Sequence, residues 1–204
     1  MVDLELDIRT TALVLIDLQR GIVQRQTAPY AASEVVGRAS RIARHFRDKG
    51  GLVILVRVTF SPDDRDRLQL KTDTAPPVSG PVPADYGEIV LDLGPKPGDI
   101  VITKRQWGAF YGTELDLQLR RRGIRTLVMA GIATNFGVES TARDAWERGY
   151  AQLFIADAMS GLTPGAHEFA VTTIPPPLRP VPPPAEPSRA LPPQHPRPSP
   201  PDAP

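Results

Sequence analysis

Three positions in the sequence could carry chemistry, because each lies at or just after the end of a short apolar run. Asp17 follows the run at residues 11–16, Lys104 follows residues 100–103, and a glycine-bounded turn at 131–137 follows residues 126–130. If these runs are neighbouring strands of a parallel sheet, their carboxyl ends form the edge where ligands bind. The sequence therefore predicts one site that combines a carboxyl group, an ammonium group and backbone amides.

The turn at residues 131–137 comes where a helix is expected to begin. Unpaired N–H groups and the helix dipole at such a position favour an anion or a developing oxyanion. We therefore expect substrate contacts from Ala133, Thr134 and Asn135. Gly137 closes the turn, and a glycine there also permits close packing of the helix.

Aromatic residues follow Lys104 closely in the sequence. Trp107, Phe110 and Tyr111 either line a substrate pocket or belong to the core, and the spacing leaves both interpretations open. Asp17 and Lys104 also have ordinary structural interpretations, since an acidic residue often caps a turn and a lysine is usually solvated. It is the combination of all three positions that favours catalysis.

The elements that must position these residues alternate between strand and helix. Buried apolar runs predict strands at residues 11–16, 52–58, 100–103, 126–130 and 151–156. Helical spacing predicts helices at 33–49, from Thr113 to about residue 122, and after the 131–137 turn to about residue 148 with Trp146 facing inward. A last helix should begin near residue 163 or 164. This order is typical of a doubly wound, three-layer α/β/α fold with a mostly parallel sheet.

Composition narrows the possible functions. Lys and Arg number 24 against 23 Asp and Glu and are scattered, which argues against nucleic acid or an anionic membrane as a partner. No apolar stretch approaches the roughly 20 residues of a membrane span, and the first ten residues do not resemble a signal peptide, so we expect a cytoplasmic protein acting on a small molecule. The polar, proline-bearing stretch at residues 61–97 could form a lid.

The sequence contains no cysteine, and this absence excludes thiolate catalysis, disulfides and thiolate metal sites. The three histidines, His45, His167 and His195, lie far apart along the chain and suggest no ligand cluster. The sequence also lacks the glycine-rich motifs of nucleotide-binding loops. We therefore expect neither a metal nor a cofactor.

Residues 175–204 differ in composition from the rest of the chain, since fifteen of these thirty residues are proline. We predict a folded domain at residues 1–174 followed by a disordered or polyproline-like tail. The tail could dock its PxxP segments, such as residues 180–183, onto an SH3-like partner.

A shifted reading frame in a GC-rich gene also produces an abrupt enrichment in proline. We hypothesise that residues after about Ile174 are out of frame and replace the usual last strand and helix. Resequencing the gene tests that hypothesis.

Three sequence blocks together resemble the signatures of the isochorismatase-like hydrolases, and the resemblance spans about residues 10–174. The blocks are DLQ at residues 17–19, KRQWGAFYGTEL at residues 104–115 and GIATNFGVESTARDAWERGY at residues 131–150. The resemblance implies catalytic roles for Asp17 and Lys104, a substrate contact from Gln19, and a cis peptide between Ile132 and Ala133. It also implies a homo-oligomer, because family members often oligomerise.

The third block departs from most of that family, which carries a cysteine nucleophile where this sequence has Gly137. Members that hydrolyse isochorismate resemble this chain in having no cysteine there. For them the implied chemistry is protonation of a vinyl ether by the aspartic acid, followed by attack of water. The RQW at residues 105–107 differs from the arginine and tyrosine of those enzymes. The alternative is a binding protein that kept the pocket without catalysis.

Overall fold

A five-stranded parallel sheet forms the middle layer of the protein, as the sequence predicted. The computed structural model describes residues 6–68, 82–90, 92–163 and 165–173. The strand order is β3-β2-β1-β4-β5, and all four pairings are parallel. The strands are β1 (Thr11–Ile16), β2 (Leu52–Val58), β3 (Ile100–Lys104), β4 (Thr126–Ile132) and β5 (Ala151–Ser160).

Helices cover the two faces of this sheet, which gives the three-layer α/β/α architecture. Long α2 packs against β1, β2, β4 and β5, whereas α4 packs against β5. A π-helical turn, Thr134–Val138, lies between β4 and α4. The helices are α1 (Arg20–Val23), α2 (Ala32–Asp48), α3 (Leu115–Arg121), α4 (Glu139–Glu147) and α5 (Ala166–Thr173).

Strand β1 lies at the centre of the sheet, and each of its six residues is buried. Its run of β-branched and aliphatic side chains suits a strand that is covered on both faces, because no position needs to face water. The strand ends where its apolar run ends, at Ile16. The central position of β1 therefore places the following residue, Asp17, in the middle of the sheet edge.

Several predicted boundaries differ from those of the structure. Strand β5 continues past residue 156 to Ser160, and helix α3 begins at Leu115 because the Thr113 hydroxyl accepts the Leu115 N–H at 3.2 Å just before it. The prediction that Trp146 faces inward was wrong, since the residue is 53% exposed. Ala142 and Ala145 already fill the buried stripe of α4, and the next residue is turned about 100° away from it.

Some sequence predictions fall outside the described residues. The proposed tail at residues 175–204 lies there, and so does the middle of the proposed lid, at residues 69–81. Within the part of the chain that the structure describes, no helix is long and apolar enough to cross a membrane.

Candidate active site

Strand register brings the three predicted positions to one edge of the sheet. Ile16, the last residue of β1, pairs with Val56 of β2 on one side and with Gly131 of β4 on the other. Val58, at the end of β2, pairs with Lys104 at the end of β3. The carboxyl ends of four strands therefore surround Asp17.

Asp17 and Lys104 form a buried ion pair at this edge. Lys104 Nζ donates to Asp17 Oδ2 at 2.7 Å, and the two residues are 2% and 5% exposed. The same ammonium donates to the carbonyl oxygens of Gln106 at 3.2 Å and Trp107 at 2.8 Å. These contacts use all three N–H bonds of the ammonium group. Lys104 therefore holds Asp17, and contact between its ammonium group and a substrate carboxylate would require breaking one of these bonds.

The backbone of Asp17 has the left-handed conformation, with φ of 54°. Aspartate tolerates this region better than most residues, but it is uncommon outside glycine. The Asp17 N–H still donates to the Val56 carbonyl at 2.9 Å, so the chain turns directly after leaving the sheet. This turn directs the carboxyl group towards Lys104.

The two carboxylate oxygens of Asp17 have different surroundings. Oδ2 accepts the Lys104 hydrogen bond, whereas Oδ1 is buried and has no hydrogen-bond partner among the described residues. Burial raises the pKa of the Asp17 carboxyl to about 6, although the charge and hydrogen bond of Lys104 act to lower it. Desolvation thus outweighs the ion pair, a balance that sequence could not decide.

Gly137 lies against this ion pair. A Cβ atom on residue 137 would lie 2.9 Å from Asp17 Oδ2, 2.9 Å from Ile16 Cγ2 and 3.4 Å from Lys104 Nζ. The first two distances are shorter than a normal van der Waals contact, so any side chain here would displace its neighbours. The glycine therefore allows the turn to approach the carboxylate.

The turn that carries Gly137 leaves β4 through a close contact with β1. Gly131 has φ of 131°, and a Cβ atom on it would lie 2.1 Å from the Ile16 carbonyl oxygen. The Ile132–Ala133 peptide bond is cis, as the resemblance implied. The Ala133 carbonyl then accepts the N–H groups of Phe136 at 3.1 Å and Val138 at 3.2 Å. Ala133 itself is buried.

The other two residues expected to bind substrate in this turn have different environments. Thr134 is 1% exposed, and its hydroxyl forms a 2.9 Å hydrogen bond with Nδ1 of His167. The Thr134 side chain is therefore hydrogen-bonded within the protein and points towards α5. Asn135 is half-buried, and its Oδ1 has no hydrogen-bond partner in the described part of the chain. A substrate contact remains a prediction for Asn135.

Gln19 is fully buried and joins two segments of backbone. Its Nε2 donates to the carbonyl oxygens of Val58 at 2.7 Å and Tyr86 at 2.9 Å, and its Oε1 accepts the Val58 N–H at 2.7 Å. These bonds use both N–H groups and the oxygen of the amide. We therefore propose that Gln19 positions the strand end, in place of the substrate contact expected from the sequence.

The segment at residues 82–90, part of the proposed lid, is docked beside the site by backbone hydrogen bonds. The N–H groups of Arg20 and Gly21 donate to the carbonyls of Glu88 at 2.9 Å and Tyr86 at 3.1 Å. The Tyr86 ring lies so close to Gly21 that a Cβ atom there would be 2.0 Å from it. Burial raises the pKa of the Tyr86 phenol; the Arg25 charge lowers it, and the Asp17 charge raises it. No pattern in the sequence indicated these contacts of Tyr86 with Gly21.

The three aromatic residues after Lys104 have different locations. Phe110 is 4% exposed and stacks on Tyr150 with ring centroids 5.9 Å apart, so of its two interpretations the structure favours a place in the core. Trp107 is 63% exposed and meets Phe136 of the π-helical turn edge-on at 5.1 Å. Tyr111 is 77% exposed. Trp107 therefore remains a candidate for the rim of the site.

Thr141 links the second sequence block to the third. Its hydroxyl donates to the Gly137 carbonyl at 2.6 Å and accepts the Ala109 N–H at 3.1 Å, and the residue is fully buried. The hydroxyl therefore connects the segment after Lys104 to the turn beside Asp17. A threonine in the first turn of a helix carried no signal of this role in the sequence.

No group of three or more His, Asp or Glu side chains within the described ranges lies close enough together to hold a metal ion. The polar groups at this position are the Asp17 carboxylate, the Lys104 ammonium group and backbone carbonyls. The arrangement can hold and release a proton on Asp17 Oδ1, while Lys104 stabilises the ionised form through Oδ2.

Comparisons with known proteins identify the family of this chain. A family model described as the isochorismatase domain matches residues 11–181. The uncharacterized isochorismatase family protein YwoC of Bacillus subtilis (strain 168) is 49% identical over 172 residues, which cover 84% of this chain and 88% of that relative.

Two solved structures extend the comparison. An isochorismatase family protein from Burkholderia thailandensis is 46% identical with a TM-score of 0.77, covering 81% of this chain and 87% of the other. N-carbamoylsarcosine amidase from Thermoplasma acidophilum is 30% identical with a TM-score of 0.64, covering 80% and 92%. The family match spans most of the chain and includes Asp17, Lys104 and Gly137. The chain therefore belongs to the isochorismatase family of hydrolases.

Proposed function

We propose that this hydrolase cleaves a vinyl ether by acid catalysis, with Asp17 as the proton donor and without a covalent intermediate. The observation that carries the proposal is the asymmetry of the Asp17 carboxyl group. Lys104 occupies Oδ2, whereas Oδ1 is buried with no partner among the described residues, so Oδ1 is the oxygen that can carry a proton towards a substrate.

The pKa of Asp17 suits this role. Because burial raises it to about 6, a substantial fraction of the carboxyl groups is protonated in mildly acidic solution. After the proton leaves, Lys104 at 2.7 Å stabilises the carboxylate that forms. The ion pair therefore stabilises the product of the first step and keeps the carboxyl group acidic enough to react.

The proposed reaction adds one water molecule across the substrate. The Oδ1–H bond breaks as a C–H bond forms at the enolpyruvyl methylene carbon, and the double bond becomes an oxocarbenium ion. Water attacks the cationic carbon and returns a proton to Asp17. The resulting hemiketal collapses when its bond to the ether oxygen breaks; that oxygen takes the remaining hydroxyl proton, and pyruvate and an alcohol are released.

A thiolate mechanism is not available to this chain, because it has no cysteine and residue 137 is glycine. The Thermoplasma acidophilum relative is an amidase, so amide hydrolysis occurs within this fold. Vinyl-ether hydrolysis fits the present residues better, since protonation at carbon needs an acid but no nucleophile from the protein.

The test is pyruvate release from isochorismate, with the Asp17→Asn variant in parallel and a protein-free sample for spontaneous breakdown. Asparagine keeps an oxygen for Lys104 but cannot supply the proton. Asp92→Asn is the control, because it makes the same change at an exposed carboxylate. We expect release to disappear in Asp17→Asn and to persist in Asp92→Asn. Release that persists in Asp17→Asn would overturn the acid role.

If the folded parent releases no pyruvate, isochorismate is rejected as the substrate. A ligand that raises the melting temperature without being turned over would then favour a non-catalytic binding protein with the same pocket. Turnover of any other substrate that is lost with Asp17 would exclude that alternative.

A further inference from the structure

A buried hydrogen bond connects the last described helix to the turn of the active site. Nδ1 of His167, in α5, lies 2.9 Å from Oγ1 of Thr134, the first residue of the π-helical turn. The two residues are 8% and 1% exposed, so water does not compete effectively for this contact. Gly137 lies three residues further along the same turn, against the Asp17 carboxylate.

His167 is fixed on its other sides by packing. The Tyr30 ring meets it edge-on, with centroids 6.2 Å apart and planes at 81°. Tyr30 is itself held by Ser160 at the end of β5, whose Oγ accepts the Tyr30 N–H at 3.2 Å and donates to the Tyr30 carbonyl at 2.8 Å. The imidazole therefore has little freedom to follow the turn if the turn moves.

The space between α5 and the turn is narrow. A Cβ atom on Gly161 would lie 3.3 Å from the backbone nitrogen of His167 and 3.4 Å from Asn135 Oδ1. Burial lowers the pKa of the His167 imidazole, so the ring is neutral at physiological pH and shares a single proton with the threonine hydroxyl. A neutral pair avoids placing an unpaired charge beside the site.

We infer that His167 is a positioning residue of the active site, which acts through Thr134 to hold the π-helical turn, and with it Gly137, against the Asp17 carboxylate. The hydrogen bond anchors the start of the turn to α5. Thr141 anchors its other end, since its hydroxyl holds the Gly137 carbonyl. Loss of the His167 contact would let the turn move away from Asp17 and admit water to the carboxyl group.

The test measures the pKa of Asp17 by carbon-13 NMR of its carboxyl group, assigned by comparison with Asp17→Asn. Thr134→Val removes the hydroxyl and keeps its shape, and His167→Phe removes the ring nitrogens and keeps an aromatic ring for Tyr30. We expect either change to lower the pKa of Asp17 by about one unit or more towards its ordinary value near 3.8, because hydration favours the ionised form. The double variant should lower it no further than either single change, because both remove the same bond.

Thr134→Ser is the conservative control. It keeps the hydroxyl, so the pKa of Asp17 should stay close to that of the parent protein. Amide spectra of the sheet show whether each variant is folded, and Gly161→Ala supplies a second perturbation that widens the gap between α5 and the turn from the opposite side. Unchanged pKa values in folded Thr134→Val and His167→Phe would overturn the inference. The measurement uses no substrate, so it can fail or succeed independently of the proposed reaction.

Discussion

The Asp17 carboxylate, the Lys104 ammonium group and the α-carbon of Gly137 occupy one small volume at the sheet edge. Each restricts the others, because the carboxylate accepts the lysine hydrogen bond at 2.7 Å on one side and leaves no room for a Cβ atom on the other. Substitution of any one of them should therefore be detectable at the other two.

Gly137→Ala adds one methyl group to this volume. The new Cβ atom would lie 2.9 Å from both Asp17 Oδ2 and Ile16 Cγ2, so the carboxylate or the turn must shift. We expect a loss of about 1–3 kcal/mol in the free energy of unfolding, typical of an overpacked site, and a longer Asp17–Lys104 distance. Urea denaturation and a crystal structure of the variant measure the two effects.

The control is Gly37→Ala, because Gly37 lies within α2 and has open space for a Cβ atom. Gly50→Ala is unsuitable, because the φ of 70° at Gly50 would add backbone strain. A variant as stable as the parent would contradict the prediction.

Lys104→Met removes the charge and keeps the length of the side chain. Because both effects of Lys104 lower the pKa of Asp17 while burial raises it, the pKa should rise above about 6 in the variant. Carbon-13 NMR of the Asp17 carboxyl group measures the change. The exposed Lys49→Met variant should leave the pKa as it is in the parent. A fall in the pKa of Asp17 in Lys104→Met would contradict the assignment of Lys104 as a group that lowers this pKa.

The acid role of Asp17 predicts the pH profile of the proposed reaction. The protonated carboxyl group is the reactive form, so the rate should be constant below the pKa of about 6 and fall about tenfold for each pH unit above it. A thiolate enzyme would show the opposite trend, since its nucleophile forms as the pH rises. Initial rates of pyruvate release, measured at about eight pH values from about 4.5 to 8.5, distinguish these two trends. A rate that rises through this range would contradict Asp17 as the acid.

At the scale of elements, the segment at residues 82–90 depends on the Gln19 amide. Gln19→Met removes three hydrogen bonds, to the Val58 N–H, the Val58 carbonyl and the Tyr86 carbonyl. The Tyr86 carbonyl keeps the Gly21 N–H at 3.1 Å, whereas the strand end at Val58 loses both of its contacts with the amide. We expect a loss of about 2–4 kcal/mol in the free energy of unfolding and faster amide exchange at Val58. The exposed Gln24→Met serves as the control, measured by the same denaturation and exchange experiments. Equal exchange rates at Val58 in both variants would exclude this role.

The sequence predicted the elements better than their contacts. Runs such as that of β1 are apolar throughout, and a buried strand needs little more than that to be recognised. The ends were harder, because β5 continues through the polar Asp157 to Ser160 once its neighbours pair with it. The resemblance supplied Asp17 and Lys104, but the contacts of Gln19 and His167 join residues 39 and 33 positions apart, and no local pattern encodes such pairs.

At the scale of the whole molecule, the pKa of Asp17 contributes to the pH dependence of stability. The folded state holds the Asp17 proton more tightly than the unfolded chain does, since the pKa is about 6 against 3.8. The resulting stabilisation is complete below about pH 4 and is lost as the pH rises through about 6, on the order of 3 kcal/mol. Urea denaturation of the parent and of Asp17→Asn across this range should show the loss only in the parent. Parallel curves for the two proteins would contradict the raised pKa.

The contact between Gly137 and Asp17 also has an evolutionary consequence. A single substitution that introduced a side chain at residue 137 would disturb the ion pair before the new group could contribute chemistry, so the effect of one change depends on the others. The three positions should therefore behave epistatically, and a library designed to convert this enzyme to a different reaction should vary residues 17, 104 and 137 together. Such a library maps which combinations of these residues remain open to selection.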